Sequence, residues 1–119
     1  MSIIKLLAGT SWGIYNKDLA RNIGLEEAII IGELASEYDY WLKQDGLTVD
    51  GYFYSPVENV VRATTISEYR QRKAMNTLKS LKLIDVQLKG LPARRYVKIN
   101  EVEIEKLIRG ECKIWLKTK

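Results

Sequence analysis

Residues 64–76 read Thr64-Thr65-Ile66-Ser67-Glu68-Tyr69-Arg70-Gln71-Arg72-Lys73-Ala74-Met75-Asn76. A short polar break leads into a helix start. Ser67 is a capping residue, because its hydroxyl can accept from an orphan N–H of the first turn. The helix it opens extends to about Lys82. At 100° per residue, Ala74, Leu78 and Leu81 share one direction, which predicts the core side. Gln71 and Arg70 flank that side, and Tyr69, Arg72, Lys73 and Asn76 fall on the opposite half.

Upstream, Ser55-Pro56-Val57-Glu58 also reads as a helix start. The reading takes Ser55 as N-cap, Pro56 as the first helical residue and Glu58 in capping-box register. That helix turns Val57, Val60 and Val61 inward and stops near Ala63. Downstream the period changes from helical to two. Ile84, Val86 and Leu88 alternate with Asp85, Gln87 and Lys89, Gly90-Leu91-Pro92-Ala93 breaks the run, and Tyr96, Val97 and Ile99 return. Helix, tight turn, helix, basic hairpin, in that order, is the pattern of a winged helix-turn-helix. The predicted fold class is mainly α with a small β-hairpin, its second helix placed to enter a major groove.

Further out, Asn16 can cap a short helix through Ile23 that Gly24 ends. Leu25 to Gln44 is the longest helical pattern. Ala28, Ile31, Ala35, Tyr38 and Leu42 form one apolar stripe and Ile30, Leu34 and Trp41 a second. Two stripes fit either a central helix buried on two sides or a helix facing a partner subunit. Tyr52-Phe53-Tyr54 reads as a short strand. Asn100 opens a last helix, Glu101 to Arg109, and Gly110 ends it. The chain thus divides into an N-terminal arm (1–15), the winged-helix domain (16–109) and a C-terminal tail (110–119).

Charge supports a polyanionic partner. The 119 residues carry a net +4, but the distribution is uneven. Residues 66–98 hold nine Lys/Arg against Glu68 and Asp85, a net +7, while residues 1–65 are net −4. Such asymmetry points to nucleic acid. Arginine forks onto guanine, asparagine pairs with adenine, and lysine meets phosphate. The candidate DNA contacts are therefore Ser67, Tyr69, Arg70, Arg72, Lys73 and Asn76 on the helix, with Lys89, Arg94 and Arg95 at the hairpin tip. A solvated helix face and charged edge protection are the plain alternatives.

Other functions are poorly served. There is no histidine and Cys112 is the single cysteine. This removes the commonest general base, the usual zinc ligand sets and any internal disulfide. Glu101, Glu103 and Glu105 suit the positive end of a helix dipole rather than acid–base chemistry. The expectation is no enzyme, no cofactor and no metal. With 46% hydrophobic residues, no run long enough for a membrane span and no signal-peptide core, a soluble cytoplasmic protein is expected.

The segment Asp18-Leu19-Ala20-Arg21-Asn22-Ile23-Gly24-Leu25-Glu26-Glu27-Ala28-Ile29-Ile30-Ile31, followed by a long helix with Tyr40-Trp41-Leu42, resembles phage replication initiators of Gram-positive bacteria. Tyr69-Arg70-Gln71-Arg72-Lys73-Ala74, followed by Leu78, Leu81, Leu83 and Ile84, looks like their recognition helix. Lys89-Gly90-Leu91-Pro92-Ala93-Arg94-Arg95-Tyr96 looks like their wing. The resemblance, over residues 16–108, implies the N-terminal winged-helix domain of a replisome organiser, or DnaD-like protein. It further implies sequence-specific origin recognition on double-stranded DNA, self-association as a dimer or higher homo-oligomer, and helicase-loading proteins as partners. Full-length members usually add a C-terminal domain, whereas this chain ends at Lys119. It is either a piece of a longer protein or a stand-alone one. In the second case a regulator or inhibitor of the host replication machinery gains weight. A transcriptional regulator on the same fold and a protein-interaction module remain the alternatives.

Overall fold

A computed structural model describes residues 15–108 of the chain. The elements are α1 (Lys17–Ile23), α2 (Leu25–Lys43), β1 (Phe53–Tyr54), α3 (Val57–Thr64), α4 (Glu68–Ser80), β2 (Ile84–Lys89), β3 (Arg94–Ile99) and α5 (Glu101–Ile108). The strands form one antiparallel sheet in the order β1-β3-β2. Five helices, a tight turn between α3 and α4, and the β2–β3 hairpin make a winged helix-turn-helix fold. The arm and tail expected at 1–15 and 110–119 lie outside the described residues, apart from Tyr15.

Local chemistry explains most boundaries. Asn16 Oδ1 accepts from Leu19 N at 3.0 Å and opens α1. Gly24, at φ +115°, lets the chain turn directly from α1 into α2. Ser67 Oγ accepts from Arg70 N at 3.3 Å, which caps α4. Thr65 takes the left-handed conformation, φ +63°, and its N–H bonds to Val61 O at 2.8 Å. This closes α3 and redirects the chain into α4 within three residues.

The core sits where α2 meets α3, α4 and the inner face of the sheet. Ile30, Leu34, Phe53, Val60, Leu78 and Val97 are fully buried there, with Ala28, Ile31, Ala74 and Leu83 around them. The two apolar stripes of α2 resolve into a helix whose first three turns are central. Further along, Tyr38 and Trp41 still pack against the core, while Tyr40 and Leu42 are exposed.

Two sequence expectations change. Ser55 is not the cap of α3. Pro56 holds that position without a side-chain bond, and Ser55 is wholly buried beside Arg95. The cause is the pairing of this segment with β3, where Ser55 N donates to Arg95 O at 3.0 Å. Leu81 is 45% exposed rather than core. The helix ends at Ser80, and the positive φ at Lys82 swings the chain away, so Met75 and Leu83 fill the space instead.

Candidate nucleic-acid interface

The sequence sorted α4 by angle, and the fold supplies the partners for one side. Gln71, Ala74, Met75 and Leu78 are buried, while Tyr69, Arg72, Lys73 and Asn76 are exposed. Because α4 packs through its inner side against α2 and β2, the outer side is left to solvent. Lys73 Nζ lies 5.0 Å from the centroid of the Tyr69 ring. Arg72 reaches Glu68 at 3.6 Å, an exposed i,i+4 pair of the kind that contributes little and is readily exchanged. Ser67 is exposed at the start of this surface.

Arg70 behaves differently. Its guanidinium pairs with Glu26 at the start of α2. That contact joins α4 to the start of α2 and turns Arg70 from the face of Arg72 and Lys73.

The hairpin divides its four cations, Lys89, Arg94, Arg95 and Lys98, by strand alternation. In β3, Val97 points into the core, so Arg95 and Ile99 share its side, while Arg94, Tyr96 and Lys98 take the other. Arg95 therefore reaches inward rather than to the tip. Its Nε donates to Ser55 O at 2.6 Å, one terminal nitrogen donates to Gln71 Oε1 at 2.9 Å, and the other donates to Ser55 Oγ at 3.3 Å. Gln71 in turn donates from Nε2 to Val57 O at 3.3 Å. One arginine thus links β3 to α4 and to the segment between β1 and α3, and through Gln71 to the first residue of α3. Burial pulls the Arg95 guanidinium below its ordinary pKa, against the opposing charges of Glu37 and Glu58. Burial likewise pushes the Glu37 carboxyl up. A bond with Ser55 and the charge of Arg95 oppose that shift, and the charge of Glu33 adds to it.

Lys89 and Arg94 are the last pair of the hairpin and are both exposed. Beyond them Leu91 is fully exposed at the tip. Between the hairpin and α4 runs a small cleft of about 150 Å³, bordered by Arg72, Asn76, Lys79, Val86 and Arg95. Seven of the nine sequence-predicted residues thus form two exposed groups, Ser67 standing at the start of the first. Tyr69, Arg72, Lys73 and Asn76 share one exposed helical face, and Lys89 and Arg94 share the outer end of the wing. Arg70 is held on the surface by Glu26, and Arg95 is engaged inside the fold.

Sequence reasoning passed over Lys79 and the aromatic residues of the sheet. Tyr54 and Tyr96 are cross-strand partners with centroids 5.8 Å apart, and Arg94 lies over Tyr54. The two-residue period that located the hairpin also places Tyr96 with Arg94 and Lys98 on one face. Among the described residues, no group of three or more acidic or cysteine side chains is placed to hold a metal ion. Nor is any described helix long and apolar enough to cross a membrane.

No protein-family model matches the sequence, and neither does any curated protein. Solved structures do match in shape. The N-terminal domain of a DNA-binding protein superposes with a TM-score of 0.62 at 15% identity, covering 93% of both chains. A Rep protein solved as a complex with DNA gives 0.62 and 15%, covering 89% of this chain and 92% of that one. The likeness is one of fold. It spans helices and wing together, not the helix-turn-helix alone.

Proposed function

We propose that this chain is a duplex-DNA-binding domain of a phage-type replication initiator. In this reading α4 enters the major groove and the wing meets the flanking backbone. The observation that carries it is the exposed face of α4. Tyr69, Arg72, Lys73 and Asn76 contribute nothing to the core, yet they gather fork, point-charge and amide chemistry on one side of one helix. Lys89 and Arg94 add cations at the end of the hairpin, where phosphate contacts fix register without reading sequence. The two structural neighbours support the reading, since one is the N-terminal domain of a DNA-binding protein and the other a Rep protein solved with DNA.

The finer parts rest on the resemblance of residues 18–31, 69–74 and 89–96 to phage initiators. They are origin recognition, action as a homo-oligomer and contact with helicase-loading proteins; action in the cytoplasm and the absence of a catalytic step rest instead on composition, with no histidine and a single cysteine. Exposed Leu25, Tyr40 and Leu42 on α2 offer apolar area for self-association.

The test is an anisotropy titration of the full chain with a labelled duplex from its own locus and with a scrambled duplex, at two salt concentrations. Salt-sensitive binding that prefers the native duplex is expected. Equal affinity for both duplexes removes origin recognition. No binding at low salt removes the DNA reading altogether and leaves a protein-interaction module.

A further inference from the structure

The outer face of the sheet carries a second pattern. Tyr52, Tyr54 and Tyr96 lie on this face, opposite the side that buries Phe53, Val97 and Ile84. Each ring has a cation against it. Lys89 Nζ sits 5.6 Å from the Tyr52 centroid and 5.5 Å from that of Tyr96. Lys98 Nζ is 5.8 Å from Tyr52, and the Arg94 guanidinium is 5.9 Å from Tyr54. The acid on this face, Asp85, accepts the Tyr52 hydroxyl. Tyr52 is thereby fixed and buried, whereas Tyr54 and Tyr96 remain half-exposed.

We propose that this face binds a short unpaired stretch of DNA, with bases stacked on Tyr54 and Tyr96 and phosphates held by Lys89, Arg94 and Lys98. A solvated strand surface needs no aromatic rings, and a protein-docking patch of this size would not be ringed by three cations. Aromatic rings interleaved with exposed cations suit a ligand that alternates flat bases with negative phosphates. The cations now resting on the rings do not block the site. An exposed cation–π contact is weaker than a base stacked on the same ring, so the incoming base takes the ring and the freed cation moves to the adjacent phosphate. The site is separate from the α4 face, because the sheet meets α4 through β2 and its core-facing side, and it shares only Lys89 and Arg94 with the wing contacts of the duplex reading. It does not depend on the duplex reading.

The test uses the full chain and a fluorescein-labelled oligothymidylate of about 15 nucleotides, a length within the usual site sizes. A sugar–phosphate strand of equal length without bases is the competitor, and a duplex is titrated in parallel. Wild type should bind oligothymidylate at least about tenfold more tightly than the abasic strand, as stacking requires. Replacing both rings, Tyr54→Ala with Tyr96→Ala, should cost about tenfold or more. Tyr54→Phe with Tyr96→Phe, which keeps the π-faces, should stay within about twofold. Absent binding, equal binding of the abasic strand, or wild-type affinity in the alanine pair overturns the proposal. So does an equal loss on duplex in an alanine pair whose circular dichroism is unchanged. If the alanine pair does not fold, the abasic comparison on wild type still decides. Duplex affinity of the wild-type chain, present or absent, bears on the previous reading alone.

Discussion

Arg94 and Arg95 are chemically identical neighbours with different surroundings. Arg94 lies at the exposed end of the wing, and Arg95 bonds to Ser55 and Gln71 within the fold. Their alanine substitutions should separate. Arg94→Ala should leave the melting temperature within a degree or two and flatten the log–log salt dependence of DNA binding by about 1. Arg95→Ala should destabilise by about 2–4 kcal/mol, because it strands the buried partners it satisfied. That is a drop in Tm on the order of 10 °C for a domain of this size, read by calorimetry. An Arg95→Ala protein with wild-type Tm would show that the network contributes nothing. On α4, Arg72→Ala should cost about 1–3 kcal/mol on the native duplex and less on a scrambled one. Equal losses on both would make Arg72 a phosphate contact. Glu37 adds a pH signature. Its folded pKa is raised by burial above the ordinary carboxylate value of 4.5. The folded state therefore holds the proton more tightly, and that contribution to stability, complete below 4.5, is lost as pH rises through the folded value. Tm followed from pH 4 upward should fall more steeply in wild type than in Glu37→Gln. Parallel curves would remove Glu37 as the source.

At the scale of elements, the chain is punctuated by caps and by left-handed residues. Asn16, Gly24 and Ser67 act locally and were legible as residue types. Thr65 is the more demanding position. A β-branched residue at φ +63° sits in a region such side chains avoid, yet the turn into α4 requires it. Thr65→Gly relieves that backbone at the expense of unfolded-chain entropy, for a net gain of about 0.5–1 kcal/mol. Chemical denaturation should show a higher midpoint at unchanged slope. A lower midpoint would show that the side chain, whose residue is exposed, secures the turn. The hairpin was equally legible, with β2 and β3 spanning the residues that alternation marked. The sequence placed Arg95 at the hairpin tip with Arg94, whereas alternation counted from Val97 puts it on the inner face. That inference needs Val97 to be known as core, which the pairing with Phe53 supplies.

Across the whole molecule, one core holds both halves of the domain. Leu34 is fully buried on α2, the helix that contacts α1, α3, α4 and β1. Leu34→Ala should cost about 2–5 kcal/mol and lower affinity for any DNA only through loss of folded protein. Charge is also a whole-molecule property. Of the nine cations between residues 66 and 98, eight come from α4 and the two long strands of the sheet, and Lys82 lies in the turn that joins them; folding sets these elements side by side. What the sequence by itself determined are the features written within a few residues of one another. These are the helices, their caps, the hairpin, and the solvent face of α4, because hydrogen bonds at i+3 and i+4 and side-chain periods are local. What only the tertiary structure decided are the partners of Ser55, Gln71, Arg70 and Arg95, and the aromatic face of the sheet. Ser55 and Arg95 are 40 residues apart and Gln71 and Arg95 are 24 apart. A guanidinium that must leave water takes whichever acceptors the packed fold brings within about 3 Å, and no local pattern specifies which those will be.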